Sequence, residues 1–349
     1  MSKKIKVAVL FGGRSAEHEV SLRSAKTVVG ALDTTKYDIE LIGIDRQGNW
    51  IADPAKKMLA GTQVLPSSTS ELSHSPTLSS KKIDVLFPVL HGPYGEDGTI
   101  QGLAKLADIA CVGAGVLGSA IGMDKDVMKR LLKEAGISVA NSVTVRIAEK
   151  DALKYSEIKH KLGTSVFIKP ANMGSSVGVS KASSEAEFNQ AVETAFQFDR
   201  KIIIEETIVG REIECSVLGN DHPKASLPGE IIADDDFYSY NSKYSSDSNS
   251  KVEIPAKISE EATKTIQEVA VQAYTLLECR GMARVDFFLT KDGQYYLNEI
   301  NTIPGFTSIS MYPKMWEASG MPLNELVDTL ISLALEDFQA QLSLSTLPA

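Results

Sequence analysis

A chain of 349 residues exceeds one ordinary hydrophobic core, so two or three domains are expected. Its 43% hydrophobic and 23% charged residues are the composition of a soluble globular protein, and no apolar run approaches the roughly 18 residues that a bilayer span needs. A net charge of −9 without a basic stretch argues against nucleic acid and anionic membranes as partners, and Cys111, Cys215 and Cys279, with no C-x-x-C, indicate neither a disulfide framework nor a zinc site.

The N-terminus is basic and then apolar, as a signal peptide would be. Its apolar part runs only from Val7 to Phe11, ends in Gly12-Gly13, and is followed by no small-residue cleavage site. It reads as a first strand, and a cytosolic protein is expected. Residues 1–122 then alternate strands and helices: Lys6 to Phe11, helix Ser21 to Leu32, strands Tyr37 to Ile44 and Val85 to Leu90, helix Thr99 to Ala107, and a short strand Ile109 to Val112. Such alternation predicts a parallel sheet with ligands at the carboxyl ends of its strands, where Gly12-Gly13 and His91-Gly92 fall. The Ser/Thr/Pro-rich stretch 61–81 reads as a surface insertion.

The pattern changes near Gly122-Met123-Asp124-Lys125. A helix from Lys125 to Glu134, closed by Gly136, leads to strands Ser142 to Val145, Ser165 to Lys169, Val177 to Ser180 and Lys201 to Glu206, with a helix from Glu185 to Phe196. Residues 123–211 form a mixed α+β unit in this reading. Residues 212–349 add longer strands (Glu212 to Gly219, Glu230 to Ile232), a polar loop, a helix from Glu260 to Leu277, a hairpin, and an amphipathic helix from Leu323 to Gln339.

The hairpin carries the densest chemistry, Arg284-Val-Asp286 and Asn298-Glu299-Ile-Asn301, joined by the turn Thr290-Lys-Asp-Gly293-Gln. Residues two apart share a strand face, so Glu299 points with Asn301 and Arg284 with Asp286. Two carboxylates and an amide are hard oxygen ligands that suit Mg²⁺, whose shell water and phosphate oxygens complete. Arg284 can stabilise charge growing in a transition state, or form a salt bridge to Asp286 alone.

Other motifs carry two readings each. Lys169-Pro-Ala-Asn-Met-Gly174-Ser175-Ser176-Val-Gly178 can cover phosphate oxygens with N–H groups and hydroxyls, or be an ordinary hairpin loop. It is not a Walker loop, because G-x-x-x-x-G-K-[ST] is absent. Gly113-Ala-Gly115-Val-Leu-Gly118 matches G-x-G-x-x-G but lacks an acidic strand end about twenty residues on, and reads as a loop between domains. Glu17, at a helix start, receives an ammonium group or favours the helix dipole beside a Ser15 cap. His91 sits in a shaped glycine-rich loop, structural or catalytic. Pro304-Gly305 turns the chain near the metal strands, with Ser308 and Ser310 as carboxylate-binding candidates. Residues 234–251, with three tyrosines and Lys243, are lid or disorder, and the aromatics favour a lid.

Together these motifs resemble the D-alanine–D-alanine ligases of the ATP-grasp superfamily. The resemblance rests on Gly12-Gly13-x-Ser15-Ala-Glu17-x-Glu-Val-Ser21, His91-Gly with Gly95-Glu-Asp-Gly98, Met123-Asp-Lys125, Lys169-Pro with Gly174-Ser-Ser-Val-Gly178, Arg284-Val-Asp286, and Asn298-Glu-Ile-Asn-Thr-x-Pro-Gly305. It runs over nearly the whole chain. It implies a three-domain α/β (α+β) ATP-grasp fold, an N-terminal parallel-sheet domain followed by two domains that sandwich ATP. It also implies joining of two D-alanines for peptidoglycan precursors in the bacterial cytosol, with two Mg²⁺ (Mn²⁺ as the alternative). A homodimer is the expected assembly.

Carried over by position, the resemblance implies that Lys125 and Lys169 contact ATP phosphates under the Ser175-Ser176 loop. Glu205, Glu206, Thr207 and Ile208 would form the adenine hinge, with Glu212 on the ribose. Asp286, Glu299 and Asn301 would hold the metals. Glu17 would take the first D-alanine's ammonium, linked through Ser176 to Tyr244, with His91 nearby. Arg284 and the Gly305 N–H would receive the oxyanion, and Lys243, Ser310 and Met311 the second substrate's carboxylate. Tyr244 matches dipeptide-forming members, while Glu206-Thr207 departs from the common hinge pair. A ligase for D-lactate or D-serine and a nucleotide-binding module without catalysis are the alternatives.

Overall fold

The computed structural model describes residues 3–51, 55–59, 83–232 and 251–345. The expectations for 61–81 and for the lid, with Lys243 and Tyr244, lie outside the described residues.

The first sheet is built from β1 (Ile5–Gly12), α1 (His18–Ala31), β2 (Tyr37–Ile44), β3 (Trp50–Ile51), α2 (Ala55–Leu59), β4 (Val85–Val89), α3 (Thr99–Leu106) and β5 (Ala110–Cys111). Its order is β3-β2-β1-β4-β5, parallel except for β3. Both faces of β1 are covered, Val7, Val9 and Phe11 on one side and Ala8 and Leu10 on the other, which is why it reads as a continuous apolar run. The strand ends set Gly12-Gly13 beside His91 at one rim, as a parallel sheet requires.

Next come α4 (Val116–Met123) and α5 (Lys125–Glu134). The G-x-G-x-x-G segment is therefore not simply a loop, because its second half enters α4. Close packing explains the glycines: a Cβ on Gly118 would lie 2.4 Å from Glu278 O, and one on Gly281 would lie 3.0 Å from Gly113 Cα. The spacing lets α4 approach the later chain.

The second sheet comprises β6 (Ser142–Arg146), α6 (Tyr155–Leu162), β7 (Val166–Pro170), β8 (Ser180–Ala182), α7 (Glu185–Ala195) and β9 (Lys201–Glu206), in the antiparallel order β6-β9-β7-β8. The strand expected at Val177 to Ser180 starts later. Ser175, Ser176 and Gly178 have φ of 51°, 58° and 70°, so left-handed backbone carries the loop past Gly178.

The third sheet holds β10 (Arg211–Gly219), β11 (Lys224–Ala225), β12 (Gly229–Ile232), β13 (Lys251–Glu253), β14 (Gly281–Leu289) and β15 (Tyr295–Asn301), with α8 (Glu260–Leu276) before β14. Its order is β13-β12-β10-β14-β15, with β11 on β10. Met128 and Leu132 of α5 share one core with Ile266, Ala273 and Tyr274 of α8 and with β10 and β14.

Two helices follow, α9 (Met311–Ala318) and α10 (Leu323–Leu342). The apolar stripe Leu326, Val327, Leu330 and Ile331 of α10 packs on Val7, Val9, Val85 and Phe87 of the first sheet. The last helix thus returns to the first strands and carries the segment after β15 over their ends. Phe306 there sits edge-on to Phe87, with centroids 6.2 Å apart. Among the described residues no helix is long and apolar enough to cross a membrane.

Candidate functional site

Two cavities meet in the joint between these units. One of about 480 Å³ lies between the second and third sheets. The other, about 310 Å³, lies between the rim of the first sheet and the segment after β15. Glu214 and Glu299 line both, so material in one can reach the other past a pair of carboxylates.

Lys125, Lys169, Ser176 and Glu212 line the first cavity, as do Glu205, Glu206, Thr207 and Ile208 of the β9–β10 link. The Glu206 and Thr207 side chains are tied to neighbours. Glu206 Oε1 accepts from Asn141 N at 2.7 Å, and Thr207 Oγ1 donates to Ser165 O at 2.9 Å. Backbone contact with a ligand there does not depend on these two side chains, so the residue pair is compatible with a hinge.

Glu205 is only 3% exposed and sits between two ammonium groups. Lys169 Nζ donates to its Oε2 at 2.7 Å, and Lys129 Nζ lies 2.8 Å from Oε1. Burial pushes the Glu205 carboxyl up, but the charges of Lys129 and Lys169 outweigh it and hold it well below the usual carboxylate range. Lys169 also donates to Asn298 Oδ1 at 3.3 Å. Lys125 Nζ donates to Met173 O at 2.7 Å and lies 3.5 Å from Glu299 Oε2, so it joins the glycine-serine loop to β15.

That loop spans the two cavities. Ser176 faces the first, while Gly174 and Ser175 face the second. A Cβ on Gly174 would lie 3.5 Å from Glu17 Oε2 and 3.9 Å from Glu96 Oε2. Turns of this kind can present successive backbone N–H groups to an anion.

The carboxylates come from adjacent strands. Asp286 stands opposite Glu214 on one side and Glu299 on the other, while Arg284 stands opposite Asn301. Arg284 donates from Nε and Nη2 to the two oxygens of Asp286, at 2.7 and 2.6 Å, and its Nε lies 3.0 Å from Glu214 Oε2. Burial works against the guanidinium charge, yet Asp286 and Glu214 more than restore it. Asn301 Nδ2 donates to Asp286 Oδ2 at 3.0 Å. Asp286, Glu299 and Asn301 are an all-oxygen donor set, which fits Mg²⁺. The described residues hold no group of three or more His, Cys, Asp or Glu placed around a metal. A cation bound here would therefore draw on phosphate oxygens or water for the rest of its shell.

Two neighbours of this cluster receive no role from the sequence. The β14–β15 register slips between Asp286 and Phe287, so Asn298 is an inserted bulge residue and lines the first cavity beside Glu299. Strict alternation hides it. Glu214 was visible in principle, two residues after Glu212 on the same strand face.

The second cavity is lined by Glu17, His91, Arg284, Asn301, Gly305, Ser310 and Met311. Ser308 is exposed and lines neither cavity. His91 is 5% exposed, and its Nδ1 donates to Ile303 O at 3.0 Å, which leaves Nε2 as the acceptor nitrogen. Burial lowers its pKa and keeps the imidazole neutral. Ser310 Oγ accepts from Thr307 N at 2.9 Å, and a Cβ on Gly305 would come within 2.8 Å of that oxygen, so the turn admits glycine best.

Comparison with known proteins bears on this site. Family models described as the D-ala D-ala ligase N-terminus and C-terminus match residues 6–114 and 131–332. A D-alanine–D-alanine ligase of Oceanobacillus iheyensis is 50% identical, over 95% of this chain and 96% of its own. D-alanine–D-alanine ligase A of Escherichia coli K12 is 48% identical over 99% of each. Among solved structures, the D-alanine–D-alanine ligase from Coxiella burnetii superposes with a TM-score of 0.83 at 40% identity, covering 97% of both chains. The VanG D-Ala:D-Ser ligase from Enterococcus faecalis gives 0.83 at 41%, covering 95% of this chain and all of its own.

Proposed function

The chain belongs to the D-alanine–D-alanine ligase family, and from that premise we propose that it consumes ATP to join two D-alanines into D-alanyl-D-alanine. One observation carries the proposal: the two cavities touch at Glu299 and Glu214, with cationic side chains on one side and Glu17, Arg284 and Gly305 on the other. ATP in the first would present its terminal phosphoryl group to a carboxylate in the second.

The chemistry requires such a junction. A carboxylate is a poor acyl donor, because its oxygen is a poor leaving group. Attack of that oxygen on the terminal phosphorus of ATP forms an acyl phosphate and releases ADP. Lys125 and Lys169 would neutralise the phosphates, and the Ser175-Ser176 loop would cover them. Mg²⁺ bound by Asp286, Glu299 and Asn301 would supply further charge neutralisation. Glu17 would hold the ammonium of the first D-alanine and so aim its carboxylate at the junction. The neutral amine of the second D-alanine then attacks the acyl carbon, and the oxyanion rests on Arg284 and the Gly305 N–H. Phosphate departs with the former carboxylate oxygen, and the amine loses a proton. Ser310 and Met311, with Lys243, would receive the second carboxylate. The adenine would lie on the backbone of Glu205 to Ile208, with Glu212 at the ribose.

The family also contains a ligase that takes D-serine, so the acceptor needs its own test. Tyr244 supports D-alanine in this reading. Peptidoglycan precursor synthesis in the cytosol by a homodimer belongs to the same proposal. Purified protein given Mg·ATP and D-alanine, alone or with D-serine or D-lactate, should release ADP and yield the dipeptide as main product by mass spectrometry. ADP release without dipeptide would reject the ligase reading, and a dominant depsipeptide or D-serine product would reject the acceptor.

A further inference from the structure

Glu96 has no role in the chemistry above, yet it is a carboxylate 8% exposed on the loop between β4 and α3. Its oxygens accept from two backbone N–H groups on distant segments. Oε2 takes Gly92 N at 2.6 Å within its own loop, and Oε1 takes Ile303 N at 3.3 Å across the joint. His91, in the same loop, donates to Ile303 O. Both polar groups of the Ile303 main chain are thus gripped by one loop of the first sheet. Beyond Gly305, Phe306 N donates to Ser24 Oγ at 3.1 Å on α1, and the Phe306 ring packs on Phe87. Gly305 lies between these anchors, and Pro304 restricts the backbone just before it.

Resting on the reading of Gly305 as an oxyanion donor, we propose that Glu96 is a positioning residue: it clamps Ile303 and thereby holds the Gly305 N–H at the reacting carbonyl. The clamp acts across the joint, because its carboxylate belongs to the N-terminal sheet and its target to the segment leaving the metal strand. It ties the site that seats the first amino acid to the site that stabilises the intermediate.

Packing alone does not explain a carboxylate here. Burial first, and Glu17 second, push its carboxyl up to about 8, against two N–H donors that favour the charge. An apolar side chain of similar size would fill the space without that penalty. What it could not do is accept from Gly92 and Ile303 together.

The test is Glu96→Gln, which keeps the volume but sets an NH₂ group against one of the two backbone donors. Four quantities are read: kcat, KM for D-alanine, affinity for ADP, and affinity for a phosphinate analogue of the dipeptide, whose tetrahedral oxygen mimics the oxyanion. The clamp predicts that kcat falls about tenfold to a hundredfold, the scale of a misplaced catalytic group. Analogue affinity should fall by the same factor, while ADP affinity stays within about twofold. An unchanged kcat, an unchanged analogue affinity beside a reduced kcat, or a parallel loss of ADP affinity would each overturn it. If the glutamine variant does not fold, Glu96→Asp, which keeps the carboxyl group on a shorter stem, is read by the same criteria. Wild-type protein is the control. No dipeptide from wild type removes the ligase reading and the clamp with it, whereas normal wild-type turnover with an unaffected variant removes only the clamp.

Discussion

Replacing Lys129 by methionine removes an ammonium 2.8 Å from Glu205 Oε1, where both side chains are 3% exposed. Taking one partner from a buried ion pair costs about 3–5 kcal/mol, because the other charge stays buried and unpaired. Glu205 keeps Lys169 at 2.7 Å, so Lys129→Met should fall near the lower end, about 3 kcal/mol. Glu205→Gln instead strands two ammonium groups and should fall near the upper end, about 5 kcal/mol. With both changed, the charge left over is Lys169, whose side chain is 12% exposed and reachable by water. The double variant should therefore lose less than the sum of the single losses, by about 2 kcal/mol or more. Urea unfolding followed by far-ultraviolet circular dichroism, with one shared slope, measures all four corners. KM for ATP should rise most in Glu205→Gln, because there Lys169 loses the carboxylate that fixes it. A Lys129→Met variant within about 0.5 kcal/mol of wild type, or strict additivity, would show that the three side chains are not energetically coupled.

Asp286→Asn and Glu299→Gln should each nearly abolish ADP formation with an unchanged circular dichroism spectrum; full activity in both would reject the metal assignment. Gly178→Ala places a side chain at φ 70°, with its Cβ 2.6 Å from Phe198 Cδ2 and 2.8 Å from Pro170 Cγ. Left-handed backbone costs about 1–2 kcal/mol and the crowding a similar amount, so the urea midpoint should drop and KM for ATP rise; an unchanged midpoint would contradict this. For pH, the folded Glu96 carboxyl holds its proton up to about 8, against a usual 4.5. Between those values the folded state binds the proton more tightly than the unfolded chain, so this contribution is complete at low pH and fades as pH rises. Urea midpoints from about pH 5 to about pH 8 should fall less steeply in Glu96→Gln than in wild type, and equal slopes would count against the shift.

Alternation made much of the carboxylate-bearing face legible. Glu299 with Asn301, and Arg284 with Asp286, follow from period-two geometry, and the Asp-Gly turn set the two strands opposite each other. Asn298 stood in the same motif, but its place in the first cavity did not follow from it, because a bulge breaks that period at one residue. The late start of β8 had a similar cause: Ser175 and Ser176 occupy left-handed backbone that serine rarely adopts, so propensity favoured extending the strand. The glycines of 113–118 were visible, but their reason, contact with Gly281 and Glu278, lies far along the chain. The amphipathic stripe of α10 announced a buried face without saying whose. Its partner is the first sheet, and this return sets Ile303 against His91 and Glu96, a contact between residues more than 200 apart that no local pattern encodes.

In the proposed reaction the phosphoryl group of ATP passes to a substrate carboxylate where the two cavities meet. D-alanine labelled with ¹⁸O in its carboxylate, turned over with Mg·ATP, tests this directly. Transfer to the carboxylate sends one labelled oxygen into inorganic phosphate for every dipeptide formed, and phosphorus-31 resonance or mass spectrometry of the released phosphate should show that ratio. Dipeptide formed at the normal rate beside unlabelled phosphate would contradict the account.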